Sequence, residues 1–278
     1  MTLSYQTVQS MALSIAKGNE IKGYYLVQKF GLSTIIGTTT APVTSNGIYR
    51  TPQKAGAVAL RVRAGDAADA PGGAGAWMVA IQGLDDDFEN ALETVATNGA
   101  SAGPLSSTLY TRTPRAFLPP LSSGTYADQD NGSHVADLVI EDAAGNEWAR
   151  IPVNGFPYST TQIAVSSIAA NEKAYVVHND VFTDSSKETE ILMFIREGID
   201  QTEPPYSPMR VVNPFIMQGG QESHDLSHAP IAITGPADVG FMSKVEQGTA
   251  TVAAGFELLV QRLRPDKGKT HRESPVGV

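Results

Sequence analysis

The chain has 278 residues and no cysteine. That excludes a disulfide scaffold, a thiolate zinc site and cysteine catalysis. Positive charge is scarce too: 20 lysines and arginines face 29 aspartates and glutamates, for a formal net charge of −9. An acidic surface disfavours non-specific binding to nucleic acid or to anionic membranes, and it favours solubility. Apolar runs fall well short of the ~18 residues that a membrane-spanning helix needs. The start of the sequence, MTLSYQTVQS, has neither a basic stretch nor an apolar core, so no signal peptide is expected. Charged residues reach only 18%, against 41% hydrophobic. That balance is not the balance of a disordered chain. Glycine and proline are present in modest excess, 26 and 17, which suits frequent turns between short strands. The length fits two moderate domains or one large β domain.

Residues 4–17 carry the clearest helical signal. Tyr5, Val8, Met11, Ala12 and Ile15 follow the i, i+3, i+4, i+7 spacing of one apolar face. Thr2 or Ser4 can cap the start, and Lys17-Gly18-Asn19 is a plausible stop. A helix this short needs a surface to pack on. Tyr5, Val8, Met11 and Ile15 are therefore the expected docking residues.

From residue 21 onward the pattern changes to short strand-like runs bounded by turn residues. The first set covers 22–29, 57–63, 77–81, 108–112, 135–140 and 148–152. A second set covers 173–182, 190–196, 209–216, 231–234, 239–245 and 251–263. Strands that half-bury one face and return quickly suggest antiparallel sandwiches. A small polar stretch, Ser159-Thr160-Thr161 and then Ser166-Ser167, separates the two sets. The expected organisation is an N-terminal helical arm over 1–20, a first β-sandwich domain over 21–162, a second over 163–264, and a polar tail over 265–278. Leu84 to Asn98 is ambiguous. Leu84, Phe88, Leu92 and Val95 make a helical stripe, with Asp85 to Asp87 well placed at its N-terminus. The rival is strand, acidic turn, strand. Local pattern alone leans slightly to helix.

The chemical motifs are weak. His224 and His228 are four apart with Asp225 between them, but Ser223 and Pro230 point to a loop rather than a rigid metal-binding helix. Asp128-Gln129-Asp130-Asn131-Gly132 lacks the third alternating ligand and the distant glutamate of a calcium loop. Asp85-Asp86-Asp87 reads as a solvated turn. Gly72-Gly73-Ala74-Gly75 lacks the lysine and hydroxyl ending of a phosphate loop. No Gly-x-Ser-x-Gly elbow occurs. No catalytic residue, metal or cofactor is expected.

One set of motifs does carry a resemblance. It begins at Gly73-Ala74-Gly75-Ala76-Trp77-Met78-Val79-Ala80-Ile81-Gln82-Gly83-Leu84-Asp85. Glu93-Thr94-Val95, the turn Asn98-Gly99, and Leu109-Tyr110-Thr111-Arg112 follow. Ala174-Tyr175-Val176-Val177 and Ala237-Asp238-Val239 complete it. Together these segments resemble virion structural proteins of tailed bacteriophages, many of them marine. The resemblance spans about residues 20–263. It implies jelly-roll-like β-sandwich domains, a non-enzymatic role, and assembly in the host cytoplasm with other virion proteins and with copies of itself, a trimer being preferred. It also favours strand, turn, strand for Leu84 to Asn98. The sequence departs from the pattern at Asp87-Phe88-Glu89-Asn90, where a small turn residue is more typical, and the helix reading stays open there.

Two other functions remain open. The first is a carbohydrate- or receptor-binding β-module for host adsorption, with Tyr24, Tyr25, Tyr126 and Tyr206 as candidate aromatics. The second is a β-rich hydrolase with a dispersed carboxylate pair.

Overall fold

A computed structural model describes residues 14–15, 21, 23–45, 49, 56–120, 122, 134–153 and 159–263. In chain order the strands begin with β1 (Tyr24–Ile36), β2 (Ala41–Pro42), β3 (Val58–Ala64), β4 (Met78–Asp85), β5 (Asn90–Ala96), β6 (Leu109–Phe117), β7 (Leu138–Asp142) and β8 (Glu147–Ile151). They continue with β9 (Val165–Ile168), β10 (Glu172–Thr183), β11 (Thr189–Glu197), β12 (Arg210–Met217), β13 (Gly220–Asp225), β14 (Ile231–Thr234), β15 (Ala237–Val245) and β16 (Ala250–Arg262). The protein is mainly β. Ser14 and Ile15 carry helical backbone; the remainder of the helix expected over 4–17 lies outside the described residues, as does the tail over 265–278.

Among the described residues three antiparallel sheets form. The first has the order β1-β16-β10-β13, with β14 also paired to β10. The second has the order β12-β11-β15-β2, with β9 also paired to β15. The third has the order β5-β4-β6-β3-β7-β8. The first two sheets sandwich one core. Val252, Ala254, Phe256, Leu258 and Val260 alternate along β16 and meet Met193, Ile195, Phe215, Val239 and Phe241 of the second sheet. This is the period-two burial of a strand with one dry face.

The third sheet curls round a core of its own. β3 pairs with β6 only at Val58 and Ala59, then with β7 from Leu60 onward. Residues of all six strands meet inside, among them Val62, Ile81, Val95, Tyr110, Ile140 and Trp148. Phe194 of β11 and Val165 of β9 belong to the same cluster. The second sheet is therefore a shared middle layer, which is why β11 reads as a nearly continuous apolar run: Met193 and Ile195 serve one core and Phe194 the other. β1 and β2, from the range expected in the first domain, are strands of the first and second sheets.

Leu84 to Asn98 is a hairpin, not a helix. β4 and β5 pair from Met78↔Ala96 to Leu84↔Asn90. The Asp85 carboxylate accepts the backbone N–H groups of Asp87 and Glu89, at 3.0 and 2.9 Å. That ties the acidic turn. Phe88 adopts a left-handed φ of 57° and packs with Leu84, Ala169 and Ile199. Tertiary burial of the ring overrides the local helical spacing.

Candidate interaction surface

One face of the first sheet is dry; the other points outward. Paired residues on antiparallel strands share a face, so the register defines this outward surface. Leu259 of β16 lies between Leu26 of β1 and Tyr175 of β10. Below it Glu257 lies between Gln28 and His178, Gly255 between Phe30 and Asp180, and Ala253 between Leu32 and Phe182. The small residues Ala253 and Gly255 make a floor, and the larger side chains of β1 and β10 make walls. The surface is thus a trough running along β16.

Its two ends differ. At the upper end Val177 and Leu259 are buried although they face outward; Ile15 packs against them with Tyr24, Leu26 and Tyr175. At the lower end Phe30 and Phe182 are 52% and 40% exposed, and Ile35 beyond them is 59% exposed. Of the four expected docking residues, Ile15 is thus seated on this sheet. Tyr5, Val8 and Met11 lie outside the described residues.

Polar groups line the trough as well. The Asp180 carboxylate leans over Gly255, where a Cβ would stand 2.8 Å from its Oδ1. Gln28 Nε2 donates to Glu257 Oε1 at 3.0 Å. Hydrogen bonds from the Ser227 hydroxyl and backbone hold the Asp225 carboxyl below its usual range.

The motifs singled out in the sequence have structural partners. His224 is a strand residue of β13, stacked on Phe215 at 4.7 Å between ring centres. Asn213 Nδ2 donates to its Nδ1 at 3.1 Å, so Nε2 carries the proton and donates to Glu222 at 2.9 Å. His228 follows in the turn after β13. Among the described residues no group of three metal-ligating side chains comes together. The loop containing Gly72 to Gly75 is organised by a carboxylate of its own. Buried Asp69 accepts N–H groups of Ala76, Val135 and Ala136 within 3.0 Å, and the N–H groups of Gly73 and Gly75 donate to the carbonyls of Ala70 and Ala68. Tyr25 does not face the trough; its hydroxyl donates to Glu172 at 2.8 Å, and burial, then the Glu172 charge, pushes its pKa up. Tyr126 and Asp128 to Gly132 lie outside the described residues.

Sequence reasoning missed the groups that join the two cores. Arg112 of β6 and Asp238 of β15 form a buried ion pair, Nε to Oδ2 at 2.9 Å. The Tyr49 hydroxyl also donates to Asp238 Oδ2, and the Ser167 hydroxyl to Oδ1 at 2.6 Å. Burial works against the Arg112 charge, but Asp238 and Tyr49 outweigh it and hold the guanidinium protonated. Nearby, buried Glu172 accepts from Tyr25 and from Asn90 Nδ2, both at 2.8 Å. Lys29 of β1 donates to the Pro114 carbonyl of β6 at 2.6 Å. Burial, and then the charge of Arg115, push this ammonium down to about 7. A signal for Arg112 was present: it shares the inward parity of Tyr110 and Ala116, where an unpaired charge is costly.

No family model matches the chain, and no curated protein matches it in sequence. Among solved structures it is similar to that of the infectious bursal disease virus Gx strain, at 12% identity and a TM-score of 0.21, over 87% of this chain and 76% of that one. The VP2 subviral particle of infectious bursal disease virus gives 13% identity and 0.22, over 92% and 78%. The PBSX exported protein XepA gives 11% identity and 0.18, over 83% and 86%. At TM-scores this low, neither fold nor function follows from the likeness.

Proposed function

We propose that this chain is a non-enzymatic structural component of a tailed-phage virion, held in the particle by protein–protein contacts. The observation that carries the reading is the outward trough of the first sheet, covered at Val177 and Leu259 and open at Phe30, Phe182 and Ile35. Exposed apolar patches of this kind mark surfaces that meet other protein. The phage-like motifs between Gly73 and Val239 supply the virion setting.

In this reading the domains are jelly-roll-like, with a junction within residues 155–172 and with β1 and β2 crossing it. The partners are other virion proteins and copies of the chain itself, arranged as a trimer, because particle components act in symmetric arrays. The site is the head surface or the head–tail or tail apparatus, after assembly in the host cytoplasm. Nucleic acid and membrane are not partners. Tyr5, Val8, Met11 and Ile15 are the docking residues, seated on the chain's own sheet or on a neighbour's.

Mass spectrometry of purified particles tests the reading. The expected result is recovery of this chain at a fixed ratio to the other particle proteins through successive purification steps. Loss of the chain during particle purification, or turnover of a polysaccharide by the isolated protein, overturns it.

A further inference from the structure

We infer that the lower half of the outward trough receives a basic segment of a different protein, which seats an apolar side chain over Ala253 and sets lysine or arginine against Asp180 and Glu257. The inference rests on the proposed role of the trough as a protein contact, and it names the chemistry of that contact. It does not rest on the virion assignment, which particle composition tests separately.

Three observations carry it. The first is an open seat. Gly255 is buried beneath the Asp180 carboxylate, whereas Ala253, one row lower, is half-exposed. The neighbours of Ala253 across the sheet are Leu32 and Phe182. Adjacent strands lie ~4.8 Å apart, so β1 and β10 stand about 10 Å from each other with the small Ala253 between them at this level. A gap of that width above a methyl group takes one apolar side chain. Phe30 and Phe182, both exposed, offer it a contact surface.

The second is charge. Rising from Ala253, the next row holds Asp180 beside Gly255, and the row above it holds Glu257, His178 and Asp225. Below Lys173, none of the outward positions described on β1, β16, β10 and β13 is a lysine or arginine. Lys29 has the opposite parity, across from Phe256. A second copy would bring the same carboxylates to this face, and like charges set together cost affinity. An anionic membrane is repelled in the same way. A basic segment is the complement.

The third is spacing. Residues two apart on a strand share a face and lie ~7 Å from each other. The rows of Ala253 and Asp180 are one such step apart, and Glu257 is a second step further. An extended segment lying along the trough keeps the same period. It therefore matches the surface with an apolar residue at one position and basic residues two and four positions on.

The test offers a display library of random dodecapeptides to the immobilised full-length protein at low ionic strength. Recovered peptides are sequenced, synthesised and titrated in solution by fluorescence anisotropy. Enriched sequences are expected to place Lys or Arg two or four positions from Phe, Leu or Ile. Phe182→Ser is expected to weaken their binding about 10-fold through the lost apolar contact. Asp180→Asn with Glu257→Gln is expected to weaken it about 5-fold through the lost charge pairing. Ile216→Ser, on exposed β12 of the second sheet, leaves it unchanged. Added salt weakens binding to the parent more than to the charge variant. Enriched peptides without basic residues, or binding that survives either trough variant unchanged, overturn the inference. So does recovery of no peptide, which leaves the trough to the chain's own residues. Sedimentation of the parent tests the second copy: self-association that Phe182→Ser abolishes would give the trough to that copy and overturn the inference as well. Circular dichroism admits only folded variants, and where one trough variant fails to fold the other decides.

Discussion

Arg112 and Asp238 are the residues on which the junction of the two cores depends. Their carboxylate and guanidinium are both almost fully buried. Removing one member of such a pair leaves an uncompensated charge in a dry interior. Arg112→Met is therefore expected to lower unfolding free energy by about 3–5 kcal/mol, measured by denaturant titration. Adding Asp238→Asn to that variant should restore part of the loss; a single variant within about 0.5 kcal/mol of the parent would contradict this account of a buried pair. Lys29 behaves differently, because its one hydrogen bond is to a carbonyl and its charged neighbour is Arg115. Its folded pKa is about 7 against 10.5 for the free side chain. Across that window the unfolded chain binds the extra proton, so stability rises with pH from about 7 towards 10.5 and is lowest below 7, where the buried ammonium is charged. Lys29→Met should flatten this rise. Chemical denaturation of both proteins between pH 6 and 9.5 measures it, and parallel pH profiles would show that Lys29 does not titrate as described.

At the scale of elements, the β4–β5 hairpin and its contact with β6 show what holds strands in register. Gly83 sits at an irregularity between β4 and β6. A Cβ there would stand 1.8 Å from the Arg112 carbonyl oxygen. Gly83→Ala must push the two strands apart and is expected to cost about 1–3 kcal/mol. Gly37→Ala, with open space around it, is the neutral comparison; equal melting temperatures for the two variants would refute the contact argument. Most strands were legible in the sequence because each has one dry face, and β14 at 231–234 coincides with its expected run. β13 was not. Its residues, Gly220 to Asp225, are nearly all exposed, so no period-two pattern marks them and their histidines read as loop. The β4–β5 turn was misread locally because Leu84, Phe88, Leu92 and Val95 keep helical spacing by coincidence: Leu92 ends up exposed while Phe88 packs, half-buried, from the turn itself. The candidate surface was only half legible. The Ile15 stripe is contiguous in sequence, whereas Phe30, Phe182 and Gly255 meet only through the pairing of β1, β16 and β10.

For the whole molecule, two cores share the second sheet as a common layer. A protease cut within residues 155–172 should therefore give two bands on a denaturing gel but one unchanged peak on native size exclusion. β1 stays zipped to β16 along nearly its full length, and Arg112 and Asn90 stay anchored to Asp238 and Glu172. Separation of the fragments without denaturant would show that these contacts do not hold the halves together. The β1–β16 pairing has a further consequence, for biosynthesis. Gln28 meets Glu257 across a sequence separation of 229 residues. As the chain leaves the ribosome, β1 emerges more than 200 residues ahead of its partner β16. The third sheet, built from β3 to β8, can collapse while synthesis continues, but the first sheet cannot close until β16 has emerged. Until then β1 presents an unpaired edge and the apolar side chains Phe30, Leu32 and Ile36, the state in which nascent chains are most prone to aggregate. Ribosome-stalled chains that end before residue 250 should remain protease-sensitive at β1 and β10, while the segment from β3 to β8 is already protected.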